Sequence, residues 1–273
     1  MSATMTAGFV QAAEEGESHF PPGPDDFWQP LFPMFELSGH TYYFTRPMAL
    51  TLIAAVALSV LMILASRRAA LVPGKGQWVL ETVYNFVRND IARDMIGSRD
   101  FLRFVPFLFA LFTFILLNNL FGVIPPFQNP PMARIGFPIA LTLIVYLVYH
   151  WIGFRKRGFV GYFKVMVPPG LPVFVRPVIL ILEAMTFFIT RPLTLALRLF
   201  GNMFGGHILL VVFIVGGWEL FIATELQYKL VAIPAWGLGV ALTAFEMLVQ
   251  VLQAYVFVLL AASYISDAVA DEH

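Results

Sequence analysis

The chain has 273 residues, of which 59% are hydrophobic and only 12% charged, with seventeen basic and seventeen acidic side chains and no cysteine. At a mean hydropathy of +0.78, a water-soluble globular domain is excluded, since such a domain needs about twice that share of charge. The missing cysteines exclude disulfides, Cys-ligated zinc and iron–sulfur clusters.

Residues 1–24 are polar with Gly and Pro, the composition of a mobile segment. They carry no basic stretch followed by a compact apolar core, so no signal peptide is expected. The first 45 residues hold Glu14, Glu15, Glu17, Asp25, Asp26 and Glu36 but no Lys or Arg. Residues 27–46, FWQPLFPMFELSGHTYYFTR, are rich in aromatics and proline, which suits chain lying at a membrane interface.

Next come three apolar runs of ordinary length: Pro47–Ser66, Phe104–Ile124 and Ile135–Phe154, each near the ~20 residues that span a hydrocarbon core as a helix. Between the first two, residues 77–96 place Leu80, Val83, Tyr84, Val87, Ile91 and Met95 at helical spacing, predicting an amphipathic interfacial helix. The last two runs, Pro177–Val215 and Leu230–Ser266, have 39 and 37 residues. As helices they rise roughly 55–58 Å, almost twice the core thickness. Pro192 does not divide the first of them usefully, because the piece before it is too short to cross. Each run is therefore expected as one long, strongly tilted or bent helix, the two joined by residues 216–229.

The basic residues give an orientation. Arg67, Arg68, Lys75, Arg88, Arg93, Arg99, Arg103, Arg155, Lys156, Arg157, Lys164 and Arg176 fall on one side, against Arg46, Arg134 and Lys229 on the other. The richer side is expected to be cytoplasmic, with the N terminus outside and the C terminus inside. The fold expected is an all-α membrane protein with five membrane-crossing helices and one amphipathic interfacial helix. Its parts are an extracytoplasmic segment 1–46, a helical membrane domain 47–266 and a cytoplasmic tail 267–273.

Inside the fourth run stands LALRLFGNMFGGH, residues 195–207. Arg198 is 21 residues past Pro177 and 17 before Val215, too central to reach either headgroup layer easily. At mid-bilayer it costs roughly 2.5–3.5 kcal/mol on insertion scales, so a partner or a water path is expected. Helical spacing gives it the face of Thr194, Asn202 and Gly205, small and polar, with Gly201 and Gly206 nearby. Arg191, nearer the run's start and beside Pro192, reads equally as a helix-end or snorkelling cation. Glu183 precedes Arg198 by fifteen residues, and His207 follows it by nine. In the last run Glu246, Gln250 and Gln253 form one i, i+4, i+7 stripe. No metal-ligand spacing appears, and Glu and His exchange protons where Arg does not, so the set reads as a proton path. His150, beside Trp151 at the end of the third run, reads as interfacial without a role. No phosphate-cradling glycine loop precedes a helix, so no nucleotide site is expected, nor any cofactor, metal or nucleic-acid partner.

RLFGNMFGGH followed by FEMLVQVLQAYVFVLLAASYIS resembles subunit a of the F-type rotary ATP synthases, and so does NLFGVIPPF at the end of the second run. The likeness covers about Pro47–Ser266. It implies a non-catalytic stator subunit of a bacterial plasma or other energy-transducing membrane. Its partners would be a ring of c subunits, the peripheral-stalk b subunits, the rest of the synthase and the lipid bilayer. Carried over residue by residue, Arg198 is the essential arginine facing the ring carboxylates, with Asn202 and Gln253 as polar neighbours. His207 and Glu246 line an outer half-channel, the two having exchanged the acid and the imidazole found in many bacterial members. Asn119 matches, but Gly122 stands where some members have an acid. That shifts the outer role towards Glu246, His207, Glu219 and Glu225, while Glu183 is the candidate on the inner side. The alternative is a secondary transporter with an intramembrane Arg substrate site; the repeated halves and broken helices common in that class are not found. A redox subunit lacks paired haem-ligand histidines.

Overall fold

The computed structural model describes residues 30–37, 40–67, 74–124, 130–165, 172, 174–223 and 225–270. Residues 1–29, Arg68, Pro125, Pro126 and the end of the tail lie outside the described residues.

The aromatic N-terminal stretch forms an antiparallel hairpin, β1 (Pro30–Leu37) with β2 (His40–Thr45), in the register Leu37↔His40 to Pro30↔Thr45. Phe32 stacks on Phe44 with ring centroids 5.0 Å apart. Aromatic residues facing each other across the two strands favour such pairing. It is a local correction to the all-α expectation.

The rest is helical. Helix α1 (Arg46–Arg67) is apolar all round. α2 (Lys75–Asn85) continues through a wide, π-type turn at Phe86–Arg93 and ends at Asp94–Ile96. Val87, Ile91 and Ala92 of this segment are buried and the flanking polar residues are not. α3 (Val105–Leu120) has 16 residues. α4 (Gly136–Val165) is kinked at Gly158, whose φ of 69° places it in the left-handed region open to glycine. α5 (Arg176–Ile222) and α6 (Leu226–Val269) are the two long helices, of 47 and 44 residues.

By length and apolarity four of these are able to cross a membrane: Arg46–Ala65, Gly136–Gly158, Arg176–Ile222 and Leu226–Val269. The expected second span is shorter than predicted. α3 stops at Leu120 because residues 121–124 turn, with Gly122 N–H donating to the Asn119 carbonyl at 2.9 Å and Val123 N–H to Leu120 at 3.1 Å. The two long helices are longer than predicted. Residues 216–222 and 226–229, expected as a connection, are helical.

The chain divides into two compact units, residues 1–46 with 206–245, and residues 47–205 with 246–273. In the first, the Trp236 ring lies over Gly217, where a Cβ would stand 2.7 Å from the indole, and its Nε1–H donates to the Ile214 carbonyl at 3.3 Å. The core of the second is built on one face of α6. Ala254, Phe257, Val258, Ala261, Ala262, Ile265 and Ala268 recur at helical spacing and are all buried, against Leu108, Ile115, Leu195 and Leu199 among others. Lipid tails are as apolar as these side chains, so close packing of small residues, rather than escape from water, holds such helices together.

Candidate functional site

The core face of α6 does not stop at Ala254. Towards the N terminus the same stripe continues through Gln253, Gln250 and Glu246, at 3%, 2% and 6% exposure. They are buried because they sit where core residues would sit, and they are polar where the core is apolar. Gln250 donates through Nε2 to the Glu246 carboxylate at 3.3 Å. Asn119, fully buried at the end of α3, donates to the Gln250 carbonyl at 3.3 Å. Asn202 of α5 donates through Nδ2 to Gln253 Oε1 at 2.5 Å. Predicted residues thus form two hydrogen-bonded sets along one face of α6: Asn119 with Gln250 and Glu246, which ties α3 to α6, and Asn202 with Gln253, which ties α5 to α6. Each such bond between membrane helices is worth roughly 0.6–2 kcal/mol.

This region has spare capacity. Asn118 Oδ1, Asn119 Oδ1, Gln250 Oε1 and Gln253 Nε2 are buried with no hydrogen-bond partner. Orphaned polar atoms at such depth are where water or a ligand hydrogen-bonds. Asn118 is not among the residues that the sequence singles out, although it stands beside Asn119.

Arg198 is exposed at the middle of α5 and makes no hydrogen bond or ion pair with another described residue. Thr194, Gly201, Asn202 and Gly205 share its exposed face. A Cβ added at Gly201 or Gly205 would meet nothing within 4 Å. These two glycines therefore leave an open surface and pack against none of the described residues. Gly122 is the opposite case. A Cβ there would come within 2.9 Å of Pro130 Cβ and 3.2 Å of the Met203 methyl, so an acidic side chain does not fit at this position without rearrangement.

Arg191, in contrast, is engaged. Its guanidinium lies 2.9 Å from the Asp267 carboxylate, 3.7 Å over the Phe187 ring and 4.9 Å over Tyr264. It ties α5 to the end of α6. Arg157 and Lys156 of α4 cap the last carbonyls of α6, Arg157 reaching Asp267 at 3.1 Å and Ala270 at 2.5 Å, and Lys156 reaching Val269.

His150 is buried within the chain. It is 5% exposed, stacks on Phe188 at 4.8 Å and 7°, and its Nδ1 meets the Tyr162 hydroxyl at 2.7 Å. The reversal at Gly158 brings Tyr162 back, and Gly153 leaves room for its ring, since a Cβ would lie 2.4 Å from Tyr162 Cε2. Burial pushes the Tyr162 hydroxyl up to about 12.

The remaining predicted residues fall elsewhere. His207 is buried at 9% in the smaller unit. Glu219 is half-buried and lines a cavity of about 500 Å³ with Phe213, Leu220 and Tyr228. Glu225 is exposed and accepts a bond from Gln227. Glu183 is half-buried on α5. Among the described residues no three His, Cys, Asp or Glu side chains cluster as a metal site would require.

Residues 48–266 match the family model described as ATP synthase A chain. The chain is 46% identical over 277 residues to ATP synthase subunit a of a Nocardioides species, covering 99% of this chain and 100% of that protein. It is 40% identical over 272 residues to ATP synthase subunit a of Pseudarthrobacter chlorophenolicus, covering 98% and 100%. The same subunit of Streptomyces lividans is 37% identical over 232 residues, covering 85% of this chain and 82% of the other.

Proposed function

We infer the function from one premise: the chain belongs to the ATP synthase A chain family. It is then a membrane-sector subunit of a proton-translocating F-type ATP synthase, and the chemistry of ATP belongs to other subunits. Within that assembly it is a stator that passes protons to and from the carboxylates of a rotating ring of c subunits, held in place by peripheral-stalk b subunits. α3 serves as a fifth membrane crossing beside the four long enough to cross by themselves. The N terminus is outside and the C terminus cytoplasmic, the side of the twelve basic residues.

One observation carries this reading. A permanent cation stands exposed at the centre of a 47-residue apolar helix, with no hydrogen-bonding or ion-paired residue of its own chain among those described, on a surface kept open by two glycines. Such a group is costly in lipid and needs a counter-charge brought by a neighbour. A ring carboxylate meets that need. Arg198 favours its ionised form by charge attraction, so a site arriving protonated gives up its proton and a site leaving must take one. A guanidinium does not act as a proton relay, so Arg198 separates the two exchanges without short-circuiting them.

Protons reach the ring through an outer half-channel in which Glu246 and His207 carry them, with Glu219 and Glu225 as further acids. The buried set Asn119–Gln250–Glu246, with Gln253 beside it, supports this by offering polar atoms without a partner among the described residues that water can bridge. Protons leave through an inner half-channel, where Glu183 receives them. Each charge descending the membrane potential delivers roughly 2.3 kcal/mol per 100 mV, and the ring converts it to rotation. Gly122 has no room for the acid that some relatives place there, which supports assigning the outer role to Glu246.

The test is Arg198→Ala in membrane vesicles carrying the assembled complex. Proton-driven ATP synthesis is expected to fall to background while the complex still assembles. Near-normal synthesis removes Arg198 from the mechanism.

A further inference from the structure

The exposed face of α5 changes phase part-way along. Upstream it is Val178, Ile181, Leu182 and Met185. Carried on at 3.6 residues per turn, this stripe reaches 189, which is still exposed, and then 192, 196, 199 and 203. Yet Ala196, Leu199 and Met203 are buried, and the exposed positions are Leu197, Arg198, Gly201 and Asn202. An unbroken α-helix would thus turn Arg198 well away from the exposed face.

What intervenes is a wide, π-type turn at Thr186–Thr190. Such a turn accommodates one extra residue and rotates the downstream helix by roughly 100°. Its cause is Pro192, which has no N–H for the Phe188 carbonyl four residues back and whose ring crowds that carbonyl. A widened turn pairs a carbonyl with the N–H five residues on: the Thr186 carbonyl accepts from Arg191 N–H, which leaves Pro192, with no N–H, opposite the Phe187 carbonyl. The Phe187 carbonyl is served from another helix: the Tyr149 hydroxyl of α4, a residue 2% exposed, donates to it at 2.9 Å. This bond ties the backbone of the turn to a helix outside α5.

We propose that Tyr149 is a positioning residue for Arg198: by holding the Phe187 carbonyl it keeps the extra residue within the Thr186–Thr190 turn, and so fixes the rotation that presents Arg198 and its glycines on the open face. What Arg198 does there rests on the function proposed above; the register itself does not.

The chain has no cysteine, so single cysteines can carry spin labels. The full chain is placed in phosphatidylethanolamine–phosphatidylglycerol vesicles with a label at Phe200→Cys, Gly201→Cys or Ile181→Cys, and the collision rate of each label with dissolved oxygen is measured. In Tyr149→Phe, which removes only the hydroxyl, the ratio of the 201 rate to the 200 rate is expected to fall by about fivefold, the population shift that one lost hydrogen bond produces. The label at 181, upstream of the turn, stays unchanged. Tyr264→Phe, whose ring lies against Tyr149, leaves all three unchanged and separates loss of this hydroxyl from general loosening. In the assembled complex Tyr149→Phe lowers proton-driven synthesis. An unaltered 201-to-200 ratio overturns the proposal, as does an equal change at 181 or normal synthesis despite an altered ratio. The function of Arg198 fails separately, through Arg198→Ala.

Discussion

A carboxyl and two amides on one helical stripe are costly to bury in lipid unless something uses them. Glu246, Gln250 and Gln253 lie on a stripe that Ala254 and Phe257 continue. Apolar replacements would pack there, so the polar choice points to proton handling. Glu246→Gln keeps the shape and the bond from Gln250 but removes the exchangeable charge. Proton flux through vesicles carrying the complex is expected to drop by at least about tenfold, below the usual loss for removing a proton-transfer group. Full flux in that variant, and no further effect of adding His207→Glu, takes Glu246 off the path. Residue spacing alone identifies this stripe. It does not disclose that Asn119 and Asn202 each bond to it, because those contacts join residues 131 and 51 positions apart.

The two long helices are legible as elements because run length is a direct measure of helix rise. Their internal phase is not. Pro192 is visible in the sequence, but whether a proline breaks, kinks or widens a helix depends on which side chains can serve the freed carbonyls, and Tyr149 lies in another element. The burial of His150 is not legible in the sequence for a similar reason. Its burial needs the reversal at Gly158, which folds Tyr162 back over it, and periodicity within a span carries no sign of that. The hairpin escapes because aromatic and proline-rich chain at an interface looks the same, by composition, whether paired or not. On α5 the consequence is an exposed surface of small residues, which the function proposed above assigns to a neighbouring subunit. Gly201→Leu adds a side chain whose Cβ meets nothing within its own fold. The variant chain is expected to match the parent in thermal stability within about 0.5 kcal/mol, as surface changes do, while ATP-driven proton pumping by the complex is lost. Impaired folding of the isolated chain, or undiminished pumping, would show that this face packs internally or meets no close neighbour.

At the scale of the molecule, the larger unit is cross-tied around α6, and in the function proposed above those ties hold one charge steady. The apolar half of α6 packs the core, Arg191 and Asp267 tie its end to α5, and Arg157 and Lys156 cap it from α4. The polar half of the same helix lies against Asn202 on the turn next to Arg198. That rigidity is what a stator needs if a neighbour moves past it, since a flexible cation would follow each carboxylate instead of releasing it. The most direct measurement is therefore of proximity. Gly201→Cys, in a chain without other cysteines, is paired with a cysteine placed one helical turn from the ring subunit's ionisable carboxylate and oxidised in the assembled complex. The account predicts a cross-link between the two subunits that stops ATP-driven proton pumping and is reversed by reduction. Failure to cross-link, in complexes where a cysteine at the buried Leu199 behaves the same way, would contradict it.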